Sequence, residues 1–371
     1  MSTQENTTTS PIGPGAIAEP SVKGAPAFSL STTEWIAIQS YVINALDLPY
    51  NFEKFKKSLG SGAPSDLSDF TALIECYDGI HNHCTTWKDD TFPSSVNLAT
   101  DIHSYAIKAP TYYNPILPLA KKLTDNPNDQ EAKDKLSAIL VALINSASQY
   151  EANAEEVARK VKAFADQTQN DQTILSGPNG DEGLFKYYFE RYGSVSQEVI
   201  DLNKEIVAQQ LVWESANAEY DHDVVVAATT PTYAWIFPFG TIAAAVVAGV
   251  YGDKAVKALD RARAAYAKIK ELQDKLAADA LLMMAINNAQ SGMSAISDKL
   301  NRALPVIQKI QGVWGAIAGD LQNIVNLIKT DIQDALPIIM DLGVEAALNA
   351  WKSVGEEADQ YRVNAYITVK S

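Results

Sequence analysis

Apolar residues recur at alternating steps of three and four in four long segments of the chain. This spacing places them on one face of a helix and predicts long helices that pack side by side. A straight helix from Leu136 to Phe164 would span roughly 43 Å, well above the ordinary helix length of about 11–12 residues. The four sets are Leu136, Leu140, Leu143, Ala147, Tyr150, Ala154, Val157, Val161 and Phe164; Val199, Leu202, Ile206, Gln209, Trp213, Ala216 and Tyr220; Leu259, Ala262, Tyr266, Ile269, Gln273, Leu276, Ala280 and Met283; and Ile296, Leu300, Ala303, Ile307, Ile310, Trp314, Ile317, Leu321, Ile324 and Ile328.

Shorter helices are predicted before and between these segments. A capping box begins at Ser31 and introduces the first helix, and Phe52–Leu59 forms a second. Pro93–Lys108 predicts another helix, which Pro110 should close because proline interrupts the helical hydrogen bonds. A cluster of turn residues at 176–181 ends the first long helix. Strand signals are nearly absent, so we expect an all-α fold, an elongated antiparallel bundle of long helices.

Residues 1–27 are rich in Ser, Thr, Pro and Gly and predict a disordered N-terminal tail. The first 21 residues contain no Lys or Arg and no continuous apolar run, whereas a secretory signal peptide requires both. We therefore expect release from the cell, if it occurs, by a route without a classical signal peptide.

One segment does not fit a soluble bundle. The 29 residues between Asp223 and Asp253 contain no charge, the longest such run in the chain. A membrane helix needs about 20 apolar residues, but Pro231 and Pro238 interrupt this segment, and Pro238-Phe-Gly240 predicts a turn. We therefore expect a hairpin of two arms. Each arm is too short to cross a bilayer as a lone helix, so crossing requires either recruitment of flanking residues or tilted strands of about 9–11 residues.

The residues expected to meet the membrane are the apolar and aromatic ones of this hairpin. They are Val224, Val225, Val226, Tyr233, Trp235, Ile236, Phe237, Phe239, Ile242, Ala244, Val246, Val247, Val250 and Tyr251. Aromatic side chains favour the bilayer interface, where one edge stays wet. The predicted organisation is a tail at 1–27, a helical bundle at 28–222 and 253–371, and a small hydrophobic head at 223–252.

Two alternatives apply to the same segment. It could remain a core hairpin covered by the bundle, or serve as a permanent membrane anchor. Two prolines make it a poor anchor. Because it joins two long helices, it lies at one end of the bundle, where the bundle core cannot bury it. We therefore favour conditional insertion.

Net charge restricts the partners. The formal charge of −15 and the pI of about 4.7 argue against nucleic acid and against anionic lipid, because like charges repel. Binding to a target cell would then require neutral lipid or a receptor.

Candidate catalytic and metal-binding residues are few. Cys76, His81, His83 and Cys84 lie close together, but their spacing matches none of the usual zinc motifs. Buried free thiols are the favoured interpretation, with a Cys76–Cys84 disulfide as the alternative in an oxidising compartment. No glycine-rich phosphate loop and no pair of converging carboxylates are found, so we expect no enzyme activity, no metal and no cofactor.

Three glycines lie within the fourth long helix, namely Gly312, Gly315 and Gly319. Small residues at this spacing let a second helix approach closely. Each glycine also costs about 1 kcal/mol of helix propensity relative to alanine, so the same positions are candidates for a bend. Together with Pro231, Pro238 and Gly240 they form the predicted hinge and helix-packing set.

Four segments carry a family resemblance: Glu34–Pro49, Pro64–Phe70, Ile307–Ile324 and Asn349–Tyr366. They resemble the α-helical pore-forming pesticidal proteins, crystal toxins of the nematicidal and insecticidal type akin to alpha-xenorhabdolysin A, haemolysin BL and cytolysin A. The resemblance runs from about Phe28 to Tyr366. It implies a soluble helical bundle whose hydrophobic head meets a membrane, after which the protein refolds and assembles into a ring.

The predicted function is therefore a pore-forming toxin, or one component of a binary toxin, that lyses target cells without covalent chemistry. Its predicted partners are target-membrane lipid or a receptor, further copies of the same chain and, in some relatives, a second component. The alternative is a non-lytic coiled-coil adaptor whose apolar tip binds a protein. The long Asn- and Cys-rich C-terminal extension of crystal-forming relatives is not found in this sequence.

Overall fold

Helices dominate the part of the chain that the computed structural model describes, which comprises residues 10–18, 38, 41–42, 45–46, 48–58, 65–178, 182–192, 245–246, 304–305, 307–364 and 368–369. The all-α prediction is confirmed, with one short strand pair added. The helices are α1 (Phe52–Ser58), α2 (Thr71–Thr86), α3 (Phe92–Tyr113), α4 (Ile116–Asp125), α5 (Gln130–Ser176), α6 (Gly183–Tyr192), α7 (307–330), α8 (Ile332–Met340) and α9 (Val344–Asn364). The strands are β1 (Ala245–Val246) and β2 (Thr368–Val369). The predicted head hairpin falls outside the described residues, except for β1.

The chain divides into two compact units. The first comprises Met1–Ser29, Ser94–Arg159 and Ala303–Val363. The second comprises Leu30–Pro93, Lys160–Arg302 and Asn364–Ser371.

The heptad patterns of α5 and α7 are confirmed where the structure describes them. In α5 the predicted core positions are buried, from Leu136 at 0% exposure to Phe164 at 2%, with only Tyr150 partly exposed. The helix has 47 residues and ends at Ser176, where the turn cluster was predicted. In α7 the seven predicted positions from Ile307 to Ile328 are all buried. The second and third heptad segments lie outside the described residues.

Pro110 does not close its helix. α3 continues to Tyr113 with Pro110 inside it, so the predicted end at Lys108 is wrong. The last turn is held by Tyr113, which is fully buried and hydrogen-bonded through its hydroxyl group. Tertiary packing therefore outweighs the hydrogen bond that proline removes.

The core of the first unit is aromatic. Tyr105 of α3, Trp314 of α7 and Trp351 of α9 lie within 4.6–4.8 Å of one another, measured between ring centroids. The two tryptophan rings stack, and Tyr105 meets both of them edge-on. Offset stacking and edge-to-face contacts are the arrangements that aromatic rings favour.

Residues 10–18, which the sequence placed in a disordered tail, pack against this core, and we call them the N-terminal strap. Ile12 and Ile17 are 0% and 2% exposed. The carbonyl oxygen of Ile12 accepts hydrogen bonds from Tyr113 and Trp351. The hydroxyl group of Ser10 donates a hydrogen bond to the carbonyl oxygen of Leu342. The glycine-rich composition that suggests disorder here instead permits a tight turn of the backbone. Gly15 has φ +48°, a left-handed conformation that glycine adopts readily.

The second unit has its own aromatic core around α2. Trp87 begins a π-helical segment, Trp87–Thr91, that joins α2 to α3. Its ring lies 4.5 Å from that of Phe164 in α5. A second group links Phe70 to Phe55 of α1 and to Tyr188 of α6, with centroid distances of 5.3 and 5.5 Å.

Candidate membrane-insertion segment

The described residues of the uncharged segment are those of β1. Val246 is therefore the one predicted membrane-contacting residue that the structure describes. The other predicted residues of the segment lie outside the described part of the chain: Val224, Val225, Val226, Pro231, Tyr233, Trp235, Ile236, Phe237, Pro238, Phe239, Gly240, Ile242, Ala244, Val247, Val250 and Tyr251. Their insertion into a membrane remains a prediction.

β1 pairs with the C-terminal end of the chain. The pairing with β2 is antiparallel, with Ala245 opposite Val369 and Val246 opposite Thr368. Both strands belong to the second unit. Three residues separate the end of α9 at Asn364 from the start of β2 at Thr368.

The three glycines of α7 have different surroundings. A Cβ atom added at Gly315 would lie 2.6 Å from a carboxylate oxygen of Glu151 in α5, so a side chain approaches closely there. At Gly312 and Gly319 an added Cβ atom would meet no described atom within 4 Å. α7 continues as a helix through all three positions. Their role as a hinge remains a prediction.

A buried pair of ionisable side chains lies in the second unit. Nε2 of His83 in α2 is 3.1 Å from Oδ2 of Asp171 in α5, and the two side chains are 6% and 8% exposed. Burial lowers the pKa of His83 to about 4 and raises the pKa of Asp171 to about 7, because removal from water disfavours each charged form. Between about pH 4 and pH 7 the imidazole of His83 and the carboxyl group of Asp171 are therefore both mainly in their neutral forms.

Three other buried ionisable groups interact electrostatically with Asp171. The buried thiols of Cys76 and Cys84 and the hydroxyl group of Tyr41 all have raised pKa values, mainly through burial, with a further contribution from Asp171. Thr168, fully buried, donates its hydroxyl hydrogen bond to the carbonyl oxygen of Phe164. A raised pKa keeps each thiol protonated and unreactive.

The two cysteines are free. Both lie on α2, eight residues apart, which corresponds to about 12 Å along the helix axis and is too far for a disulfide. The interpretation as buried free thiols is confirmed, and the disulfide alternative is wrong. The ring of His81 lies against that of Tyr50, with the ring centroids 3.9 Å apart and the ring planes tilted by 40°. Within the described residues, no group of three or more His, Cys, Asp or Glu side chains is placed to hold a metal ion.

None of the described helices is both long enough and apolar enough to cross a membrane.

The strap contacts, the His83–Asp171 pair and β2 were not predicted from the sequence. The strap is anchored through a backbone carbonyl group, which leaves no side-chain pattern. His83 and Asp171 are far apart in the sequence, on different helices. The one available signal was the isolated pair Ile12 and Ile17 within a polar stretch.

Comparison with known proteins supports the family resemblance. Residues 64–181 match the family model described as Bacillus haemolytic enterotoxin (HBL). The chain is 26% identical to pesticidal crystal protein Cry6Ba of Bacillus thuringiensis, over 96% of this chain and 92% of that protein. The resemblance to α-helical pore-forming toxins is thereby confirmed.

Two solved structures share the fold over nearly their whole length. One is the Bacillus cereus HblL1 toxin component, with a TM-score of 0.59, 16% identity, and coverage of 98% of this chain and 100% of that one. The other is soluble SmhA of the tripartite alpha-pore forming toxin Smh of Serratia marcescens, with a TM-score of 0.53, 14% identity and 97% coverage of both chains. At these identities the likeness establishes the fold.

Proposed function

We propose that this chain is a pore-forming toxin, or one component of a multi-component toxin, whose uncharged segment inserts into a target membrane. The observation that carries the proposal is the full-length fold similarity to HblL1 and SmhA in a chain that also holds 29 consecutive uncharged residues. Residues 28–222 and 253–371 form the helical bundle, and residues 223–252 form the inserting head. Secretion or release from a bacterial cell precedes binding to the target.

The driving force is burial of apolar surface. Each Å² of apolar area moved from water into lipid contributes about 25 cal/mol, so a segment of this size gains tens of kcal/mol before its soluble packing is subtracted. Copies of the chain then assemble into a ring. A second component is part of the proposal because SmhA acts within a tripartite toxin.

Insertion is tested with a dye that reports its surroundings. Val247→Cys labelled with the fluorophore NBD places the dye in the uncharged segment, and Ala138→Cys places it on the exposed face of α5. Labelling is selective because Cys76 and Cys84 are buried. With phosphatidylcholine vesicles, we expect a blue shift and quenching by lipid-attached quenchers at position 247, and neither at position 138.

Dye release from the same vesicles then distinguishes a complete toxin from a component. Insertion with release identifies a self-sufficient pore-forming toxin, and insertion without release identifies one component. Equal NBD spectra at positions 247 and 138, with no release after mild protease or detergent treatment, would overturn the proposal and favour the non-lytic adaptor.

A further inference from the structure

The pairing of β1 with β2 joins the uncharged segment to a part of the chain that is ill-suited to lipid. Lys370 follows β2 directly, and α9, with exposed charged side chains including Glu356 and Lys352, precedes it. A charged side chain in the hydrocarbon core is costly, so β2 belongs in water. β1, in contrast, lies in a run without charge.

β1 cannot be paired with β2 and inserted into a bilayer at the same time, because of the hydrogen bonds that its backbone requires. In a bilayer the N–H and C=O groups of an inserted segment must be satisfied within that segment or by other inserted segments. While β1 is hydrogen-bonded to β2, its residues cannot enter the hydrocarbon core without bringing β2 and Lys370 along. Insertion of the segment therefore requires that β1 and β2 separate.

The pairing of β1 with β2 is short, so it is held by few hydrogen bonds. Each strand has two residues, shorter than ordinary strands of 3–10 residues, so few hydrogen bonds are broken on release. Ile367, Thr368 and Val369 are β-branched and suited to a strand, which explains why this end of the chain pairs at all.

We propose that β2 is a clamp that retains the uncharged segment before insertion, and that separation of β2 from β1 is an obligatory step of membrane entry. This inference rests on the proposed function, since it describes how the insertion of that same segment is controlled.

A disulfide lock tests the clamp. Ala245 and Val369 are direct partners, and opposed residues in an antiparallel pair have Cα atoms about 4.5–5.5 Å apart, within the range that a disulfide spans. The variant Ala245→Cys/Val369→Cys should therefore cross-link on mild oxidation. The matched control Ala245→Cys/Thr368→Cys should not, because successive side chains of a strand point to opposite faces.

The oxidised lock should slow insertion at least tenfold, and reduction should restore the wild-type rate. Insertion is followed by dye release from vesicles and by the quenching of tryptophan fluorescence by lipid-attached quenchers, since Trp235 lies in the uncharged segment. Equal rates before and after reduction would overturn the clamp while leaving the proposed function intact. If the variant does not cross-link, Ala245 and Val369 are not direct partners, and the clamp is overturned. Absence of insertion in the wild-type protein would overturn the proposed function, and the clamp with it.

A second variant acts in the opposite direction. The double variant Thr368→Pro/Val369→Pro removes the backbone N–H groups of both residues of β2, one of which faces β1 in an antiparallel pair. The control Thr368→Val/Val369→Ile retains both groups and the β-branched shape. We expect several-fold faster insertion for the proline variant and an unchanged rate for the control. Equal rates for the two variants would contradict the clamp.

Discussion

The hydroxyl group of Tyr113 and the indole N–H of Trp351 donate hydrogen bonds to the same acceptor, the carbonyl oxygen of Ile12, at 2.7 and 2.8 Å. All three residues are fully buried. A carbonyl oxygen has two lone pairs, so this one is satisfied entirely by side chains. The strap is thus part of the first unit's core, although its residues belong to a segment whose composition indicates disorder.

Tyr113→Phe should destabilise the protein. The change removes the donor to Ile12 and also the partner of the Tyr105 hydroxyl group, which lies 2.7 Å away. A buried polar group left without a partner costs about 1–3 kcal/mol, and we expect a loss of that size in the free energy of unfolding measured with urea. Tyr112→Phe, one position earlier and partly exposed, is the control. Equal losses in both variants would contradict the anchoring role of Tyr113.

Replacing two glycines by alanine should have opposite effects. A Cβ atom at Gly355 of α9 would lie 2.4 Å from Cβ of Ala106 in α3, so Gly355→Ala forces two helices apart and should cost about 1–3 kcal/mol. Gly319→Ala meets no described atom and should gain up to about 1 kcal/mol from helix propensity. Thermal unfolding of both variants checks the signs. Unchanged dye release by Gly319→Ala would also remove Gly319 from the predicted hinge.

The long helices were predictable because their signal is local. Leu136, Leu140 and Leu143 define a face by spacing alone, and burial of that face is what the fold uses. The end of α3 was mispredicted because the residue that holds it, Tyr113, binds a carbonyl group about a hundred positions away. The partner of β1 was equally hidden, since a strand of two residues has no detectable periodicity.

The His83–Asp171 pair makes a pH-dependent prediction. The pKa of Asp171 is raised by burial to about 7, above its ordinary value near 4, so the folded state loses stability as pH rises from about 4 to 7 and the carboxyl group ionises. The lowered pKa of His83, about 4, has the opposite effect between about pH 4 and 6.5, because the unfolded state then binds the extra proton. In the wild-type protein the two effects nearly cancel over that range.

Asp171→Asn removes only the Asp171 contribution. The amide resembles the protonated carboxyl group in shape and stays neutral, so the variant should be more stable than the wild type at pH 8 and similar to it at pH 4.5. The expected gain at pH 8 is on the order of a few kcal/mol. Melting temperatures at the two pH values measure it. Asp166→Asn, in an exposed pair with Lys162, is the control and should not reproduce the gain at pH 8. A gain at pH 4.5 equal to that at pH 8 would contradict the assignment.

A charge within the uncharged segment should abolish membrane lysis. Ala244→Asp places a carboxylate in the segment, and at the bilayer centre a charged residue costs roughly 2.5–3.5 kcal/mol in each protomer, a penalty that accumulates around a ring. Dye release and NBD insertion should both be lost, while circular dichroism and thermal unfolding stay as in the wild type.

Two controls separate charge from other effects of that substitution. Ala138→Asp adds the same carboxylate to the exposed surface of α5 and should lyse vesicles normally, as should the apolar change Ala244→Val. Because Ala244 precedes β1, Ala244→Asp could also affect the clamp, but weakening the clamp speeds insertion and so opposes the expected loss. Full lytic activity of Ala244→Asp would therefore show that the segment does not enter the hydrocarbon core.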